Sequence, residues 1–126
     1  MCALPSDKFD VAAIEKLQQA PESEIIERLP GLLQCIQDFN WPVAEPALKL
    51  LMKFPTEITP HVEKVLLEDD GQWKYWCLLK IVPNLPFYSK MVLADVVMQI
   101  AEHPSKQDID EGLDELAKNA LASFEI

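Results

Sequence analysis

Apolar residues return every three or four positions along most of this chain, and strict apolar-polar alternation is nearly absent. That spacing gathers side chains on one face of a helix, whereas a half-buried strand needs a period of two. In DVAAIEKLQQA (10–20), Val11, Ile14 and Leu17 share a face, and Asp10 stands where an N-cap carboxylate accepts a backbone N–H. PESEIIERL opens with a proline suited to a first turn, and Glu22 and Glu24 suit the positive end of a helix. Pro30 interrupts, and Leu32, Leu33, Ile36 and Phe39 then form one apolar face.

The pattern continues in the second half. NWPVAEPALKLLMKF (40–54) is read as a helix with Asn40 as its cap, although Pro46 lies deep enough to imply a kink or a later start. Thr59 followed by Pro60 predicts the start of another helix, with Val62, Val65 and Leu66 on one side. WKYWCLLKIV (73–82) is apolar nearly all round, and a helix of that kind belongs in a protein's interior. FYSKMVLADVVMQIAEH (87–103) and DIDEGLDELAKNALASF (108–124) complete the pattern. About eight short helices are expected, and an all-α fold.

Two stretches echo each other at an offset of 32 positions, which sets Asp38-Phe39-Asn40-Trp41 over Asp70-Gly71-Gln72-Trp73. Each couples an apolar helix, a polar turn holding an aspartate, a tryptophan and a second apolar helix. The match breaks where Leu51 meets Pro83, so the repeat is degenerate. Paired helices of this length bury their apolar faces by stacking. The architecture expected is one domain over 1–126: a short alpha-alpha superhelix of HEAT-like pairs across 30–124, with 1–29 as an N-terminal cap. Trp41, Trp73 and Trp76 are assigned to the core between layers.

NWPVAEPALKLL, DDGQWKYWCL and IAEHPSKQDIDEGLDELAKNAL together resemble a family of small bacterial HEAT-like helical-repeat proteins catalogued as a domain of unknown function. The resemblance covers roughly residues 30 to 122 and leaves the first 29 outside it. It implies a fold and carries over no activity or catalytic residues.

Charge and composition narrow the function classes. Twenty-one acidic residues against eleven basic ones leave a net charge of -10, and Arg28 is the one arginine. Phosphate backbones and anionic lipid need clustered lysine and arginine, so neither nucleic acid nor membrane is an expected partner. No apolar run approaches the length of a membrane span, and nothing at the start marks a secretory signal, so a cytoplasmic protein is expected. Cys2, Cys35 and Cys77 are odd in number and lack CxxC spacing, which suits reduced, packed thiols.

Candidate chemistry is sparse. His61 and His103 are far apart and fit no metal motif, no Gly-rich phosphate loop or GxSxG elbow occurs, and no cofactor is expected. Cys77 lies among apolar neighbours without a base to activate it. Asp69 and Asp70 could form an acid-base pair with Trp73 as a platform, the basis for a hydrolase-like alternative. Yet Asp70 stands where it would cap the following helix, and Asp38 repeats that position. A DNA-binding HEAT-like reading lacks a basic channel. The expected function is a non-catalytic protein-interaction module, a monomer or weak dimer, binding a basic partner through Asp69, Asp70, Lys74 and Tyr75, for instance as an immunity-type protein against a basic toxin.

Overall fold

A computed structural model describes residues 3–124; Cys2 lies outside that range. Most of the described residues are helical, joined by turns and short irregular segments, and no strand occurs among them. The chain divides into two compact units, residues 1–58 and 59–126.

The first unit holds α1 (Val11–Gln18), α2 (Glu22–Glu27), α3 (Leu29–Gln34) and α4 (Ala44–Leu51). The α1 start follows the expectation: Asp10 Oδ1 accepts from Ala13 N at 3.3 Å, while its Oδ2 accepts from Ser6 N at 2.9 Å. Those Ser6 hydrogen bonds favour the ionised form and hold the Asp10 carboxyl below its ordinary pKa. α4 packs against α1 and α3. Its start differs from the Asn40 cap: Val43 is the N-cap residue, and Pro46 becomes the third helical residue, where the missing N–H costs nothing. Asp38 closes a tight turn instead, its Oδ1 accepting from Asn40 N at 2.9 Å. Buried side chains in this unit are aliphatic for the most part, among them Ile14, Leu17, Leu29, Leu32 and Leu50.

α5 (Pro55–Leu66) contains the division between the units and overturns the expected start at Thr59. Pro55 opens the helix, which runs on through Pro60. Thr59 is buried, and its hydroxyl donates to Ser89 Oγ at 2.8 Å. A buried partner thirty residues away outweighs the local preference of a Thr-Pro pair for a helix start.

The rest of the second unit comprises α6 (Gly71–Trp76), a π-helical turn (Cys77–Ile81), a 3-10 turn (Val82–Asn84), α7 (Phe87–Glu102), α8 (Lys106–Asp110) and α9 (Leu113–Ala122). The expected continuous helix over 73–82 is thus three kinds of turn in succession. Val82 N donates to Cys77 O, five residues back, which is the wider π spacing. Cys77, Leu78, Ile81, Val82 and Leu85 are all buried. In an α-helix Val82 would be rotated about 140° from Cys77; the wider turn brings the two towards one side. α7 keeps its expected span, ends one residue early, and packs along α9.

The helix expected over 108–124 is split. Gly112 has φ +73°, a left-handed backbone that suits glycine, and it separates α8 from α9. Ser105 and Asp108 form a reciprocal capping box at the start of α8.

Candidate functional site

Three segments of the second unit meet at the start of α6. Asp70 is its N-cap, with Oδ1 accepting from Trp73 N at 3.1 Å. The capping role expected of Asp70 is present, and the carboxylate is exposed as well as engaged. Asp70→Ala is expected to cost about 1 kcal/mol, and Asp70→Ser to restore most of it. Thermal unfolding of both variants checks this, and an equal loss in each would remove the cap explanation.

α8 supplies the other side. Gln107 Nε2 donates to the Asp69 carbonyl at 3.3 Å, and the Glu111 carboxylate lies against Gly71 so closely that a β-carbon there would collide with it. Glycine at 71 is what admits the carboxylate. Two acidic stretches some forty residues apart in sequence are thereby neighbours, with Glu68, Asp69, Asp70, Asp110 and Glu111 all exposed.

Beside Gly71 lies a cleft of about 230 Å³ lined by Gly71, Gln72, Tyr75, Trp76 and Glu111. The Tyr75 and Trp76 rings meet edge to face, centroids 5.0 Å apart and planes at 81°. Its lining residues thus comprise two aromatics, one acid, one amide and a glycine. Its volume is below the range usual for small-molecule sites, and nearer the size of one side chain.

The expected site residues divide. Tyr75 is half-buried and forms part of the cleft wall, whereas Asp69 and Asp70 border its acidic surroundings and do not line it. Lys74 must be corrected: it is buried, and its Nζ lies 4.0 Å from Asp108 Oδ1. A lysine so placed points into its own unit, not towards a partner. Gln107 was missed, and Glu111 is legible in the sequence only as one of the acids at 108–115 that could steer a basic partner, because nothing in their local sequence shows that α8 returns to the start of α6. The repeated aspartate-then-tryptophan unit hinted at one half only.

The tryptophans also need correction as core residues. Trp41, Trp73 and Trp76 are half-buried, and the largest fully buried side chains are all isoleucine and leucine. Trp41 lies in the turn before α4 and walls a larger hollow of about 580 Å³ in the first unit, with Leu4, Phe9, Gln34, Cys35 and Val43. Trp73 is the third residue of α6, so the two tryptophans at the 32-residue offset do not occupy equivalent helical positions. Their amphipathic indoles suit such boundary positions, where one edge is packed and another is wet.

Among the described residues, no group of three or more His, Cys, Asp or Glu side chains is placed to hold a metal ion, and no helix is long and apolar enough to cross a membrane. Cys77 is fully buried, and burial pushes its thiol far above the ordinary value of 9.0. Half-buried Cys35 is raised for the same reason, and its Sγ contacts the Gly31 carbonyl at 3.7 Å. Neither thiol has the depressed pKa of a nucleophile.

The family model described as domain of unknown function (DUF5071) matches residues 3–121. The chain belongs to this family. The match includes residues 3–29, which the sequence resemblance left out, so that N-terminal segment is part of the DUF5071 domain. No curated protein matches the chain.

Proposed function

We propose that this DUF5071 domain is a non-catalytic, cytoplasmic interaction module that captures a lysine or arginine side chain of a basic protein partner at the start of α6. The observation that carries the reading is the cleft beside Gly71, where the Glu111 carboxylate and the Tyr75 and Trp76 rings share one small space. A cation entering it would meet a carboxylate and aromatic rings together, two interactions that reinforce each other on a long cationic side chain. The exposed acids at 68–70 and 110–111 add an attractive field around it, which raises the encounter rate with a basic surface.

The hydrolase-like alternative is less well supported. Asp70 is committed to its cap and neither aspartate lines the cleft. A HEAT-like stacking of helix pairs remains our reading of the 32-residue echo, and an immunity-type role against a basic toxin is one form the module's function could take.

The test is affinity capture by the wild-type chain and by a Glu111→Gln/Asp110→Asn variant. A specific partner should be retained at low salt, released at roughly 0.5 M salt, where the screening length falls below about 5 Å, and lost by the variant. A partner held equally by both proteins, or none under any growth condition, would refute the proposal.

A further inference from the structure

α7 presents apolar residues on two opposite sides. Ser89, Leu93, Val97, Ile100 and Ala101 are buried, and the helix packs along α9. On the other side Phe87 is 52% exposed, Tyr88 68%, Met91 54%, Val92 40% and Met98 41%. At about 100° per residue these five fall within an arc of roughly 140°, centred opposite the buried face. A helix that is apolar all round is normally covered all round. Single exposed apolar residues need no explanation, but five within one arc of a helix make that face predominantly apolar, with the exposed Asp95 set among them. Two are methionine and two are aromatic, the types that fill partner pockets and adapt to different shapes.

The charges on the stripe indicate what would cover it. Asp95 and Glu102 are exposed within the same arc. The one lysine of α7, Lys90, is turned away: its Nζ donates to the Ser123 carbonyl at 2.9 Å and lies 5.8 Å from the Phe124 ring centroid. The outer face is therefore apolar and net negative. Membrane-surface helices carry lysine and arginine beside their apolar face, the opposite arrangement. A second copy would bring another chain of charge -10 and set one acidic stripe against another.

We propose that the outer face of α7 docks a basic amphipathic helix of a partner protein, apolar against Phe87, Tyr88, Met91, Val92 and Met98, with lysine or arginine opposite Asp95 and Glu102. The twelve residues from Phe87 to Met98 span about 16 Å, so the complementary segment is three to four turns long. Its anchors recur at three- and four-residue spacing, as in other helix-in-groove complexes. This surface rests on different residues from the Gly71 cleft and stands or falls separately.

The test uses two fluorescein-labelled synthetic helices of about 18 residues, long enough to be helical when bound. Both have a leucine face; one is flanked by lysine and the other by glutamate. Fluorescence anisotropy with the full chain should show the lysine helix bound at least about tenfold more tightly than the glutamate helix. Met91→Glu should weaken that binding about tenfold or more, Tyr88→Ser should weaken it too, and Asp95→Lys should reverse the order of the two peptides. These positions are exposed, so unchanged circular dichroism and Tm are expected, and Asp69→Asn/Asp110→Asn should alter binding less than about threefold. Binding that survives both Met91→Glu and Tyr88→Ser, or that is lost with Asp69→Asn/Asp110→Asn instead, would overturn the proposal. So would a dimer in sedimentation equilibrium that Met91→Glu dissolves, or Met91-dependent binding to phosphatidylcholine vesicles.

Discussion

Asp108→Ala is expected to lower the unfolding free energy by about 3 kcal/mol, although aspartate on a short helix beside a loop would ordinarily be dispensable. Two effects combine. The Lys74 and Asp108 side chains are only 11% and 14% exposed, with Nζ and Oδ1 4.0 Å apart, so removing the carboxylate leaves a largely desolvated ammonium without its counter-charge. The same residue closes the α8 capping box, its Oδ2 accepting from Ser105 N at 3.1 Å. The cap alone is worth about 1 kcal/mol. Lys74→Met keeps the packed stem but leaves the Asp108 carboxylate without its counter-charge, so it too should destabilise, by less than Asp108→Ala because Ser105 N still donates to that carboxylate. The double variant Lys74→Met/Asp108→Ala should therefore recover most of the loss, down to the cap contribution. Urea denaturation of all three proteins checks this; additive losses would mean that the pair is not energetically coupled.

Cys77 gives the second large effect, and it depends on pH. Burial raises its pKa in the folded protein well above 9.0, while in the unfolded chain the thiol ionises near its ordinary value. Above pH 9.0 the unfolded state therefore binds fewer protons than the native state, and stability falls as pH rises. The slope is about 1.4 kcal/mol per pH unit from this group, while below the unfolded-state pKa the contribution is fully present. Cys35, also raised, acts in the same direction. Urea unfolding of the wild type and Cys77→Ala between about pH 8 and pH 10.5 isolates the contribution, since other titrations are common to both proteins. Cys77→Ala should begin less stable because of the cavity, then lose stability less steeply. Parallel slopes would show that the thiol is not protected by burial.

Both effects arise from residues whose local sequence says little about them, and the contrast with what was legible is informative. The Asp10 and Asp70 caps were readable because each carboxylate meets a backbone N–H only three residues ahead. The α7 span was readable because its inner face repeats at helical spacing between Pro86 and Pro104. Apolar residues on its outer face belong to the same stretch of sequence, and burial alone separates the two sides. Thr59 misled because its hydroxyl answers to Ser89, and Gly112 was passed over because one glycine inside an amphipathic pattern leaves the period almost unchanged.

Within the candidate site, Asp69, Asp70 and Tyr75 were named from the density of chemistry in one short stretch. Lys74 was named for the same reason and proved to face inward. Helical phase around residue 74 cannot distinguish a lysine pointing to solvent from one pointing at a carboxylate on another helix.

What the amino-acid sequence determined alone is the helical character of the chain, the caps that start α1 and α6, and a net charge of -10. These follow from contacts within one turn, or from simple sums over the chain. Tertiary structure alone decided that α8 returns to the start of α6, setting Glu111 against Gly71 and Asp108 against Lys74, and that one apolar side of α7 stays exposed. The physical reason is range: capping and periodicity act over three or four residues, whereas the cleft and the α7 stripe depend on which helix faces are covered by segments far away in sequence.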